Sequence, residues 1–152
     1  MKQNLYKRQI IMFIVMVIIG MLFNPMNILA YRLSDIYLSL TLVYSGLLMA
    51  SNMIWSHQIV HYLSMGHFNM KIFIIGICLS LFCVFLLRSQ LFVNSENWLR
   101  RMIGHHSTAL TTTKQLLKNK RHLENDKIYR LAKDIIFTQE NEILTMKNFL
   151  SS

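Results

Sequence analysis

What most restricts the fold of this chain is a set of three uncharged apolar stretches in the first 93 of its 152 residues. They cover 10–23, 36–54 and 72–87, and the third is fenced by Lys71 and Arg88. The first continues less cleanly to Ala30 through Asn24, Pro25 and Asn27. A helix crosses a bilayer with about 20 apolar residues, or fewer when flanking side chains snorkel. The expectation is an all-α membrane protein with transmembrane helices at about 9–30, 35–56 and 71–90. Tyr31, Tyr37, Trp55 and Tyr62 fall near the expected ends, where aromatic belts form. Pro25 predicts a kink late in the first helix.

Charge divides the chain at the same place. Residues 1–93 carry seven charged side chains: Lys2, Lys7, Arg8, Arg32, Asp35, Lys71 and Arg88. The 59 residues of 94–152 carry sixteen, so this segment reads as a small polar domain behind a membrane anchor, 1–93. The net charge of +9 splits into +5 (6 minus 1) and +4 (10 minus 6). Neither part has a dense basic run interleaved with aromatics, so no nucleic-acid partner is expected. The lipid bilayer is the expected partner. Lys2, Lys7 and Arg8 outweigh the single Arg32 of the first loop, which places the N-terminus in the cytoplasm. Three crossings then carry the C-terminal domain to the extracytoplasmic side of the cell membrane. The basic start also resembles a signal peptide, but Ile28 is too large for the small-residue pattern that would precede cleavage at Ala30. Cys78 and Cys83 lie about 140° apart around the third helix and form neither a disulfide framework nor a redox pair.

A ladder of soft and imidazole side chains leaves the second apolar stretch at four-residue steps: Met49, Met53, His57, His61 and Met65. Neighbours stack one turn apart, while each step drifts by about 40°. Thioethers and imidazoles suit soft metals such as Cu(I). Membrane packing of the methionines, with interfacial histidines, accounts for the same pattern without metal.

Residues 94–152 read as two amphipathic helices. The first carries Leu99, Met102, Ile103, His106, Ala109, Leu110, Thr113, Leu116 and Leu117 at helical spacing, with Asn94 or Ser95 as cap. The second carries Ile128, Leu131, Ile135, Gln139, Glu142, Met146, Phe149 and Leu150, with Asn125 or Asp126 as cap. The polar run 119–125 between them predicts a turn centred near His122. His105 and Gln139 each lie 17 residues from that centre, and Met102 and Glu142 each lie 20. In an antiparallel hairpin such pairs come level. Met102, His105, His106, Glu142 and Met146 therefore form a candidate metal set, with Gln139 as a supporting group. Met and His favour copper, above all Cu(I), and Glu extends the range to Cu(II) and other divalent ions. A purely structural His–Glu pairing satisfies the same spacing.

Leu99-Arg100-Arg101-Met102-Ile103-Gly104-His105-His106, followed by Ala109-Leu110, resembles the Met-Ile-Pro-His-His motif of domain-of-unknown-function family 305. Leu131-Ala132-Lys133-Asp134-Ile135-Ile136, then Gln139, Glu142-Ile143 and Met146, resembles that family's second signature. Three short spans ahead of the domain resemble its membrane-anchored branch. The resemblance implies a ferritin-like antiparallel helical hairpin outside the cytoplasm, with copper binding at Met102, His105, His106, Glu142 and Met146. Gly104 stands where the family usually has Pro, and Thr112 where members often carry a further Met.

The expected function is membrane-anchored metal binding, with copper as the ion, in sequestration or hand-over. The contrasting expectation is a structural or interaction protein whose hairpin drives oligomerisation without metal. Two helices over 59 residues make little core alone, so homo-oligomerisation is expected under both. No enzyme activity is expected. A di-metal carboxylate site would want several Glu and two Glu-x-x-His motifs, which are missing here.

Overall fold

The computed structural model describes residues 2–119 and 126–151. Among these, the regular structure is helical throughout: α1 (Lys2–Leu22), α2 (Pro25–Ile28), a 3-10 turn (Leu33–Asp35), α3 (Leu40–Met65), α4 (Met70–Ser89), α5 (Ser95–Lys118) and α6 (Asp126–Ser151). Two compact units result, one from Met1–Asn24 and Leu40–Phe92, the other from Pro25–Ser39 and Val93–Ser152. The second unit is discontinuous in sequence. It takes in the loop that follows the first apolar stretch.

In the first unit α3 packs against both α1 and α4. Pro25 stops α1 and opens α2, where its missing N–H and fixed φ suit a first helical position. The second apolar helix differs from its expected bounds at both ends. It starts at Leu40, because residues 33–35 form the 3-10 turn, and it continues to Met65. Asn69 caps α4 by accepting from the Ile72 N–H, and Gln90 ends it in the left-handed conformation. Two stretches are long and apolar enough to cross a membrane among the described residues, Tyr6–Ile28 and Met70–Ser89. The expected middle span is outside that pair. Ser45, Ser51, Asn52, Ser56, His57, Gln58 and His61 dilute the apolar character of α3.

Small residues set the helix spacing in this unit. A Cβ added at Gly46 of α3 would lie 2.7 Å from Met21 Cγ of α1 and 3.0 Å from the Val17 carbonyl oxygen. One added at Gly76 of α4 would lie 2.9 Å from the backbone nitrogen of Trp55. Close backbone approach through small residues is a common packing mode of membrane helices.

In the second unit α5 and α6 lie side by side around a core of Ile103, Leu110, Ile143 and Met146. Tyr37, Leu99, Met102, Ile136 and Leu150 pack against it, so the 25–39 loop contributes an aromatic ring. Full burial of one such aliphatic side chain is worth about 1.5–3 kcal/mol. Asn94 accepts from the Asn97 N–H at 2.9 Å and caps α5 as expected. The buried stripe of α6 is offset from the expected one. Ala132, Ile143 and Met146 are buried, whereas Ile128 and Leu131 are exposed. Two apolar faces compete on this helix, and the face with the small Ala132 is the one turned inward. The expected turn at 119–125 and its Asn125 cap fall almost wholly at 120–125, outside the described residues.

Candidate functional site

His106 is the centre of the candidate site. It is 9% exposed, on the inner face of α5. Its Nδ1 lies 2.7 Å from the Met102 carbonyl oxygen, one turn earlier. A carbonyl only accepts, so Nδ1 carries a hydrogen and donates. Its Nε2 lies 2.7 Å from Glu142 Oε2 on α6. A single shared proton joins that nitrogen to the carboxylate. The carbonyl thus fixes the ring so that Nε2, the usual ligating nitrogen in such an arrangement, points at an oxygen donor. Gln139 Nε2 donates weakly to the same Glu142 oxygen, at 3.5 Å.

The other expected residues surround this pair unevenly. His105 is exposed, and its ring lies edge-on to that of His106, with centroids 5.8 Å apart. Met146 is buried in the apolar core and Met102 packs against the same cluster. The structure therefore joins His106 to Glu142 and Glu142 to Gln139, with Met146 in the core and Met102 packed against it. No group of three or more His, Cys, Asp and Glu side chains converges as a metal cage among the described residues. The pairing also differs from a turn centred at His122. Contacts His106–Glu142 and Lys114–Glu140 have sequence midpoints of 124 ((106+142)/2) and 127 ((114+140)/2). Glu142 accordingly meets His106, and not Met102: α5 ends at Lys118 and α6 starts at Asp126, so the connection itself is centred at 122, and packing offsets the two helices along each other.

Beside this pair lies a polar network that the sequence reading missed. Asp35 is 1% exposed. Its Oδ2 accepts from Ser107 Oγ at 2.7 Å, and its Oδ1 accepts from the Lys147 ammonium. Ser107 Oγ in turn accepts from the Tyr31 N–H at 2.7 Å. Thr108 Oγ1 reaches the Met26 carbonyl at 3.3 Å, and Lys147 also donates to Ser34. These bonds tie the 25–39 loop to α5 and α6 through residues next in sequence to His106 and Met146. Asp35 was marked in the sequence as the one acidic side chain among residues 1–93. Lys114 donates to Glu140 at 2.6 Å and sits 3.9 Å from the Tyr31 ring centroid. The Glu140 hydrogen bond holds its amine above the usual lysine range, against the opposing effect of burial.

In the first unit, the His57 and His61 rings of the ladder lie with centroids 6.0 Å apart, tilted by 40°. Met49 places its Sδ beside Gly20 of α1, and Met53 is exposed.

The sequence profile of the DUF305 domain (domain of unknown function) matches residues 91–150, the segment holding His106, Ser107, Glu142 and Lys147. An uncharacterised protein of Acanthamoeba polyphaga mimivirus is 35% identical over 127 residues, which is 84% of this chain and 81% of that protein. The chain belongs to the DUF305 family. The likeness to the viral protein is longer than the DUF305 match and so reaches into the apolar part of the chain. No solved structure matches the chain.

Proposed function

We propose that this DUF305 protein is a membrane-anchored metal-binding protein that holds copper outside the cytoplasm, for sequestration or hand-over. The observation that carries the reading is the buried His106, oriented by a backbone carbonyl and aimed at Glu142, in the unit whose core contains Met146 and packs against Met102. His106 and Glu142 would supply nitrogen and oxygen donors. Met102 and Met146 would supply the sulfur donors that favour Cu(I), and His105 a second imidazole at the exposed edge. A bound ion would replace the proton now shared by His106 and Glu142, with Gln139 steadying the carboxylate. Labile thioether ligands suit transfer to a partner. The domain would be a two-helix hairpin of ferritin-like type.

Support for a third span in α3 comes from the loop contacts. Tyr31 and Asp35 bond to Ser107, so the loop after the first apolar stretch and the helices after the last one share a side. If Met70–Ser89 crosses a membrane, a second crossing between loop and domain is needed, and α3 is the helix available. With Lys2, Lys7 and Arg8 on the cytoplasmic side, the domain is extracytoplasmic.

Anaerobic Cu(I) titration of the full chain in detergent micelles tests the assignment. About one Cu(I) per chain, or per pair of chains, is expected. Unchanged copper content after combined Met102→Ala, His105→Ala and His106→Ala substitution would refute it.

The second reading is oligomerisation without metal. It is favoured by the completeness of the His106 hydrogen bonding and by Leu131, Phe137 and Leu144 of α6, which are 58%, 71% and 55% exposed. Under it, thermal unfolding is indifferent to copper and to chelator, and association depends on protein concentration alone.

A further inference from the structure

We propose that the first unit holds an anionic phospholipid with a hydroxyl-bearing headgroup, in the cavity between α1 and the end of α3. The site rests on the membrane anchoring proposed above and adds a ligand to it. The cavity, of about 430 Å³, is lined by Arg8, Gln9, Ile11, Met12, Val15 and His61. Ligand sites commonly span about 300–1,000 Å³.

The lining changes character along the helix. α1 and α3 run antiparallel, since Gly20 lies against Gly46 and Met49 while Arg8 shares the cavity with His61. The polar side chains Arg8, Gln9 and His61 come first, and Ile11, Met12 and Val15 follow within about 10 Å of rise along α1. A charged head with an apolar tail fits this order. Ile11 and Val15 are 53% and 46% exposed, so the apolar part of the cavity is open to lipid chains.

Charge selects the kind of lipid. Residues 1–24 and 40–92 contain no Asp or Glu, and their cations are Lys2, Lys7, Arg8, Lys71 and Arg88. All but Arg88 lie within the first two turns of α1 or α4. α4 begins five residues after α3 ends, so both helix starts stand beside the end of α3. Basic side chains therefore gather there with no carboxylate of the unit to offset them. Such clusters attract the anionic lipids of the cytoplasmic leaflet, which this end faces in the proposed topology. Arg8 is exposed and forms no ion pair among the described residues, so its guanidinium is open to a phosphate.

The other two polar groups call for donors. Gln9 Oε1 is buried with no hydrogen-bond partner, and a carbonyl oxygen only accepts. His61 Nδ1 lies 2.9 Å from the His67 carbonyl oxygen and must donate to it, which leaves Nε2 an acceptor on the neutral ring. Two acceptors beside a guanidinium match a phosphodiester whose headgroup carries free hydroxyls, as in phosphatidylglycerol. Phosphatidylcholine offers neither the net charge nor a donor.

Native mass spectrometry of the full chain, released from micelles doped with one lipid at a time, tests the site. Phosphatidylglycerol should be retained at least about fivefold better than phosphatidylcholine. Phosphatidylmethanol, with the same charge and no hydroxyl, should be retained less well than phosphatidylglycerol. Arg8→Gln should bring phosphatidylglycerol down to the phosphatidylcholine level, whereas Arg88→Gln, at the other end of α4, should leave it unchanged. Excess inorganic phosphate should not displace the lipid. Flotation with phosphatidylcholine vesicles reads the anchoring separately, and Arg8→Gln should float as wild type does. The proposal is overturned if wild type retains phosphatidylglycerol and phosphatidylcholine equally, or if phosphatidylmethanol matches phosphatidylglycerol. It is also overturned if Arg8→Gln retains lipid as wild type does, or if inorganic phosphate displaces it. Wild type that fails to float would overturn the anchoring itself.

Discussion

Replacing Lys147 by Met is expected to release the 25–39 loop from α5 and α6. Asp35 is 1% exposed and its carboxylate has two side-chain partners, Lys147 and Ser107. Lys147→Met removes the charge partner and leaves the carboxylate buried with one hydroxyl. Leaving a buried charge uncompensated costs about 3–5 kcal/mol. Asp35→Asn acts from the other side of the pair. It keeps an acceptor for Ser107, and the Lys147 side chain, already 23% exposed, can turn to water. Its expected cost is about 1–3 kcal/mol. The double variant Asp35→Asn/Lys147→Met should cost less than the sum, because neither group then strands the other. Hydrogen exchange of the full chain in micelles reads these values locally, at the Tyr31 and Ser107 amides and along the loop. At about 1.4 kcal/mol per tenfold, Lys147→Met should speed loop exchange by roughly a hundred- to several-thousand-fold. Unchanged exchange in Lys147→Met would refute the reasoning, as would a larger effect of Asp35→Asn than of Lys147→Met.

Three further perturbations probe the helix contacts and the surface charge. Gly76→Ala should lower the thermal midpoint in micelles, at a cost of about 1–3 kcal/mol, because the new Cβ meets the backbone of Trp55. Gly104→Ala, whose Cβ would find its nearest neighbour at 4.0 Å, should stabilise α5 by about 0.5–1 kcal/mol in the same assay. The Lys114–Glu140 pair gives a pH dependence of defined sign. Its folded-state amine titrates above the ordinary value of 10.5, so its contribution is complete at neutral pH and is lost as pH rises through that raised value. Both side chains are partly exposed, at 26% and 41%, which limits the contribution to about 1 kcal/mol or less. A Lys114→Met variant should show a flatter stability profile above pH 10.5 than wild type.

The helices were legible where periodicity and caps agreed. Asn94 and the fence of Lys71 and Arg88 fix α4 and α5 closely. The offset stripe of α6 was not legible, because Leu131 and Ile143 belong to two apolar faces of similar weight and only packing chooses between them. His106 and Glu142 were legible as partners, since both interrupt apolar stripes. Their exact level was not, because the offset of the two helices is set by their packing and not by the midpoint of the connection. Asp35, Ser107 and Lys147 were missed for a different reason: they lie far apart in sequence, and no spacing rule links a loop to helices some 70 to 110 residues later.

The discontinuous second unit has a consequence in time. Asp35 and Lys147 are separated by 112 positions. At about 5–20 residues per second, a ribosome takes roughly 6–22 s to deliver the second after the first. During that interval Ser107 arrives first, 72 positions after Asp35, so the loop can meet α5 but its carboxylate still lacks its charge partner. The domain is thus completed only once α6 has been made. A fragment cut at residue 93 would inherit Ser107 and Lys147 without the Asp35 that they hold, so the domain is a unit of space and not a stretch of chain.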